Sequence, residues 1–242
     1  MILRLYRIEL LKVRRSLALM MAFVCPLMVV ALNFLIQLKS KHPPPWNMFW
    51  MGITGLWSYF MFPLYIALVT ALLNGNEHKN STWRVMLSLP ISSNQLYTAK
   101  LALAFTFVLL SNIALFAFGA LAIQILAWTG ISTEGAYQFS FANAITMLTF
   151  TCAPVLLFQH WLSWRFANIV APLTSGVVGA MGIMQIGQSK DWIYYPWSYT
   201  MMAMNGSKPE MREQAILLTV FVGAALLLAS YFWLVRTKHE FR

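Results

Sequence analysis

The side chains that ordinarily carry chemistry are few in this chain and stand apart. The histidines are His42, His78, His160 and His239, in four separate segments with no His-x-x-x-His or Cys-x-x-Cys spacing. No metal site is therefore expected, and His160, in HWLSWR, reads as an interfacial histidine rather than a ligand. Cys25 and Cys152 both fall inside apolar runs and read as small buried hydrophobes, not as a disulfide pair. No lysine follows a glycine, so the Gly-x-x-x-x-Gly-Lys phosphate loop is absent and the chain has no ATP site of that kind. Asn80-Ser81-Thr82 and Asn205-Gly206-Ser207 match the N-glycosylation pattern, a chance occurrence to which no role is assigned.

Charge is placed as sparingly as the nucleophiles. None of the acids, Glu9, Glu77, Glu134, Asp191, Glu210, Glu213 and Glu240, falls at the middle of an apolar run, and no lysine or arginine does either. An ionised side chain at the centre of a membrane helix costs about 2.5–3.5 kcal/mol on insertion scales, and ion-coupled transporters and voltage sensors accept that cost because they need the charge. No side chain here meets that need. What remains for a path through the membrane is aromatic side chains, methionines and small polar groups such as Asn33, Asn112, Gln124 and Asn143. That lining suits a hydrophobic or amphiphilic substrate better than a small ion.

One stretch combines charge with helical spacing. Asn74 to Lys100, NGNEHKNSTWRVMLSLPISSNQLYTAK, holds Glu77, Lys79 and Arg84 beside an apolar stripe of Trp83, Met86 and Leu87. Asn80, Ser81 or Thr82 can cap a helix there, and Pro90 ends it by driving the preceding residue out of helical geometry. Ser92 with Gln95 then makes a capping box for the next helix. Such a capped amphipathic helix is either a rigid knob for a protein partner to grip or a helix lying on lipid.

The elements that must position these residues are membrane helices. Of 242 residues, 60% are hydrophobic and 10% charged, at a mean hydropathy of +0.65, against about 25% charged in soluble domains. The chain reads as a single transmembrane domain over residues 1–242, with spans at about 17–38, 49–73, 97–128, 139–161, 166–187 and 215–235. Pro26, Pro63 and Pro154 lie inside spans, and a kink is expected at Pro26. The first span follows a basic start but is too long for a cleaved signal and lacks a small-residue cleavage site. Residues 1–16 place Arg4, Arg7, Lys12, Arg14 and Arg15 opposite Ile2, Leu3, Tyr6, Leu10 and Val13. This predicts an interfacial amphipathic helix facing anionic lipid, with Glu9 paired to a neighbouring arginine. Trp46 and Trp50 mark an interface after the prolines at 43 to 45.

Residues 189–213 form an outer segment rich in rings, with Trp192, Tyr194, Tyr195, Trp197 and Tyr199. It is too short to cross as a helix, and it either lies at the interface as an aromatic belt or dips back as a re-entrant hairpin broken at Pro196. Ser175, Gly176, Gly179 and Ala180 in the fifth span are spaced for close helix packing, within the chain or at a dimer seam. The net charge of +10 sits in short flanks of the spans, which is positive-inside topology rather than a nucleic-acid surface. With the N-terminus inside, twelve of the 17 lysines and arginines fall on inner segments. Both termini are thus expected in the cytoplasm of a multi-pass protein.

Three of these segments resemble the membrane subunits of the ABC-2 type, in particular the small six-span permeases of lantibiotic immunity and bacitracin export. RIELLKVRRS, from Arg7 to Ser16, is similar to the family's connecting helix. EHKNSTWRVMLSLPIS, from Glu77 to Ser92, followed by Tyr97 and Lys100, resembles its coupling segment, here 74–96. The ring-rich loop from Trp192 to Tyr199 sits where these proteins carry short re-entrant helices. One departure is Ser93 and Asn94, where many relatives place an arginine soon after the Pro-Ile-Ser.

The resemblance implies an all-α integral membrane fold, type V exporter-like. It would have six transmembrane helices, an N-terminal interfacial helix, a cytoplasmic coupling helix and a re-entrant hairpin before the last span. It implies a permease of the bacterial inner membrane that pairs with a second permease, as homodimer or heterodimer, and with two copies of a separate ABC ATPase. ATP and Mg2+ would be held by that partner, with no cofactor on this chain and no nucleic acid. Glu77, Thr82, Trp83 and Arg84 would contact the ATPase, Arg7 and Glu9 would brace the connecting helix, and Trp192, Tyr195, Pro196 and Trp197 would form an outer gate. The cargo implied is an amphiphile, a peptide antibiotic or lipid-like molecule; the alternatives are a polysaccharide, lipid or cofactor-assembly permease, or a stand-alone membrane scaffold.

Overall fold

The structure, a computed structural model, describes residues 2–40, 45–79, 92–186, 190–205 and 209–237, and these are helical with no strand among them. Helix α1 (Ile2–Val13) breaks at Arg14 and Arg15 and gives way to α2 (Leu17–Lys39), whose first turn is capped by Ser16 Oγ accepting from Leu19 N at 3.4 Å. Pro26 lies within α2, which continues as one helix to Lys39, so no break follows the expected kink. The chain returns through α3 (Trp46–Leu56), a single wide π turn (Trp57–Met61) and α4 (Phe62–Lys79). Helix α5 (Ser93–Trp128) starts at the predicted capping box of Ser92 and Gln95. Next come α6 (Phe141–Thr151) and α7 (Ala153–Arg165), bent by 44° at Cys152. Pro154 cannot continue the hydrogen-bond ladder there, which accounts for the bend. After α8 (Val170–Ile186) come two 3-10 turns (Lys190–Tyr194 and Pro196–Ser198), α9 (Tyr199–Asn205) and α10 (Pro209–Thr237).

Among the described residues four stretches are long and apolar enough to cross a bilayer: α2, α3 to α4 taken together, α5 and α10; the bent pair α6 and α7 brings the number to five if it is counted as one span. Helix α8 is apolar and 17 residues long. Helices α2 and α10 turn most of their length outward, with 28% and 22% of their apolar windows buried. The core instead lies around α4 and α5, where Trp50, Trp57, Phe62, Tyr65, Leu103 and Leu115 are almost wholly enclosed.

Trp46 and Trp50 are not the exposed interface markers their position suggested. Both are buried, and their indole N–H groups donate to Ser132 O at 3.0 Å and Ala136 O at 2.8 Å, pinning the 129–140 connection over the bundle. The π turn has a local cause. Phe62 N reaches back five residues to Trp57 O, and Pro63, which has no N–H, cannot serve the carbonyl of Tyr59. Ser58 O, which would otherwise accept from Phe62, takes the Thr200 hydroxyl of α9 at 3.3 Å. This bond holds α9 against the middle of the α3–α4 stretch.

The small residues of α8 pack within the chain. A side-chain carbon at Gly176 would overlap the Ala67 methyl, and carbons at Gly179 and Gly182 would overlap the Trp197 and Tyr195 rings. Ser175 and Gln159 are joined at 3.2 Å on the same contact. The polar side chains expected along a path are likewise bonded internally. Asn112 accepts from Trp57 Nε1 at 2.9 Å and donates to Thr149, Asn33 donates to Val29 O, Gln124 to Tyr137, and Asn143 accepts from Arg212.

Candidate functional site

Thr82, Trp83 and Arg84 lie outside the described residues, together with the apolar stripe that includes Met86 and Leu87; Glu77 belongs to the last turns of α4. The structure does describe both flanks of that segment. They are the end of α4 and the start of α5, and a buried polar junction ties them to each other and to α1.

Lys100, two turns into α5, is the centre of the junction. Its ammonium lies 2.9 Å from Glu9 Oε2 and donates to Leu73 O at 3.0 Å, while Lys12 Nζ meets Glu9 Oε1 at 2.5 Å. Lys100 is 2% exposed and Glu9 3%. Charges so enclosed persist only when paired, because desolvation costs several kcal/mol per ion. Burial pushes the Glu9 carboxyl up, but the charges and hydrogen bonds of Lys100 and Lys12 outweigh it and hold the carboxyl below the usual carboxylate range.

This differs from the expected pairing of Glu9 with an arginine. Leu5, Glu9 and Val13 form the buried face of α1, and Tyr6 Oη is 2.9 Å from Thr106 Oγ1 of α5. Arg7 is exposed, so the bracing at Glu9 runs through lysines. The apolar face drawn for α1 differs in the same way: Leu3 and Leu10 are exposed, and the seam against α5 is a narrower stripe that includes the acid.

Beside Lys100 lies a second enclosed cluster. Asn74 Nδ2 donates to Ser163 Oγ at 2.7 Å and faces His160 Nδ1 at 3.3 Å, while His160 Nε2 faces Tyr97 O at 3.3 Å. A neutral imidazole with its hydrogen on Nε2 meets both contacts, accepting from Asn74 and donating to Tyr97. The Tyr97 ring packs on His160 and Trp164, with centroids 4.5 and 5.2 Å apart. His160 is therefore a fully buried link between α4, α5 and α7, not an interfacial residue. Four helices meet within this junction, and among the described residues no three His, Cys, Asp or Glu side chains gather as a metal site.

Away from that junction, the aromatic residues singled out in 189–213 come together. Tyr195 stacks on Trp197 at 5.3 Å, Tyr195 Oη donates to Gly179 O at 2.8 Å, and Trp197 meets Phe158 edge-on at 5.6 Å. Pro196 opens the second 3-10 turn. Trp192 packs on the group formed by Tyr199, Met202, Ala203 and Ala215. The glycines of α8 are what let the two rings lie flush against it.

Residues 5–183 match the model of a family described as ABC-2 family transporter protein. No curated protein and no solved structure matches the chain.

Proposed function

The chain belongs to the ABC-2 family of transporter proteins, as a membrane component, and from that premise we propose that it is the permease subunit of an exporter that moves an amphiphilic compound. ABC-2 permeases generally pair with a separate ABC ATPase. The missing phosphate loop fits that division of labour. We assign the chain to the bacterial inner membrane on its resemblance to the small ABC-2 permeases, and place both termini in the cytoplasm on its lysine and arginine distribution. Six spans follow if α8 crosses as well, since its 17 residues reach about 25 Å at 1.5 Å per residue.

The observation that carries the mechanism is the Lys100 junction. Residues 80–91 stand between α4 and α5, and Lys100 cross-links those helices through Leu73 O while holding α1 through Glu9. An ATPase pushing on Glu77, Thr82, Trp83 and Arg84 would therefore move α1, α4 and α5 together, not one loop alone. Through α4 the movement reaches the π turn, and through Ser58 and Thr200 it reaches α9 and the Tyr195–Trp197 stack. That connection supports a re-entrant outer gate opened by alternating access. A second permease copy would complete the path, with two ATPase subunits carrying ATP and Mg2+. Aromatic and methionine side chains around α9 favour an amphiphile such as a lantibiotic or lipid-like molecule.

The test is co-purification. Glu77→Ala combined with Arg84→Ala should reduce recovery of the ATPase with the tagged chain by tenfold or more, about 1.4 kcal/mol, and reduce transport with it. Unchanged recovery and transport would remove the docking assignment.

A further inference from the structure

The elbow between α1 and α2 has chemistry that the transport reading does not use. An open recess of about 560 Å³ lies there, lined by the polar Arg14, Arg15 and Ser16 and by the apolar Leu17, Leu19, Met20 and Phe23. A neighbouring recess, lined by Leu11, Lys12, Arg14 and Arg15, extends the basic side. Among the described residues no acid lines either one, and Glu9 of the same helix is turned inward onto Lys100. Arg14 and Arg15 are exposed at the very mouth of α2, which is long and apolar enough to cross a bilayer. Below them Met20, Phe23 and Leu27, at three- and four-residue spacing on one helix face, are 51%, 40% and 48% exposed.

We infer that this elbow is a binding site for an anionic phospholipid, with Arg14 and Arg15 on the phosphate and an acyl chain along Met20, Phe23 and Leu27. Guanidinium groups pair with phosphate through forked hydrogen bonds, and two of them side by side favour a headgroup with net negative charge. A soluble anion would satisfy the arginines but leave the apolar wall in contact with water; a lipid satisfies both. The site adjoins the junction through Lys12, which lines the second recess and also holds Glu9. Bound lipid would thus sit directly beside the brace of α1.

The experiment is native mass spectrometry of the full chain in detergent, titrated with phosphatidylglycerol or phosphatidylcholine. The site predicts a discrete bound phosphatidylglycerol that Arg14→Gln with Arg15→Gln weakens about 30-fold, from roughly a factor of five per arginine near the surface. Arg4→Gln with Arg236→Gln, which removes the same charge elsewhere, should leave that lipid bound. Equal loss in both double variants would reduce the effect to bulk charge and overturn the site, as would equal retention of phosphatidylcholine. Should the arginine variant fold poorly, Phe23→Ala serves instead and should weaken phosphatidylglycerol at unchanged melting temperature. Inorganic phosphate stabilising the wild-type chain as much as the lipid does would contradict the lipid assignment.

Discussion

Glu9 and Lys100 make the sharpest claims at the scale of single residues. Removing one partner of a buried pair leaves an uncompensated charge, which costs about 3–5 kcal/mol. Glu9→Ala should therefore lower the thermal stability of the purified chain markedly, because the Lys100 ammonium, 2% exposed, loses its carboxylate partner. Replacing both at once, Glu9→Leu with Lys100→Met, should recover most of that stability, since apolar isosteres of a buried pair are often neutral or better. Transport should not recover with it, because the link from α1 to the flanks of 80–91 is gone. Equal rescue of stability and transport would show the pair to be structural only. The carboxyl also predicts a pH response. Its folded-state pKa is depressed, so its contribution is complete above the unfolded value of about 4.3 and is lost as pH falls through the folded pKa. The melting temperature of the wild-type chain should decline more steeply on acidification below about pH 4.3 than that of Glu9→Gln.

At the scale of elements, α8 and the ring-rich segment packed on it decide how the last third of the chain is assembled. Gly176 faces the Ala67 methyl with no room for a side chain, so Gly176→Val should destabilise by about 1–3 kcal/mol through overpacking. Gly75→Ala, where no described residue lies within 4 Å, should have little effect on thermal unfolding. A dimer seam at Gly176 predicts a different result, with intact single chains that no longer associate. Much at this scale was legible in the sequence. Hydropathy located the apolar stretches, and the Ser92–Gln95 capping box was local chemistry written in adjacent residues, whereas the bend at Cys152 came where one unbroken span was expected and a kink had been expected at Pro26. What was not legible came from distant partners. Glu9 finds Lys100 from another helix, His160 is enclosed by Asn74 and Tyr97, and Trp50 is claimed by Ala136. Local spacing could suggest only the neighbouring arginines for Glu9 and the membrane interface for His160 and Trp50. The π turn lies beside Pro63, but the bond from Thr200 to the Ser58 carbonyl depends on a chain segment far along the sequence.

For the whole molecule, the reading rests on which way the helices run and on what drives them. The distribution of lysine and arginine predicts that the connection containing Glu134, which carries neither, faces outward. A reporter fused at that position should be active only outside the cytoplasm, and a cytoplasmic signal would invert the proposed topology. The drive is the central claim. Residues 80–91 should touch a separate ATP-binding chain, and the cross-braced helix ends beside them should carry the movement inward. A photo-crosslinking amino acid placed at Trp83, with one at Glu134 as the opposite-face control, tests this in cells that express the full transporter. The account predicts a crosslink from position 83 to an ABC ATPase and none from position 134; crosslinks from position 83 to lipid alone, with no ATPase captured, would contradict it.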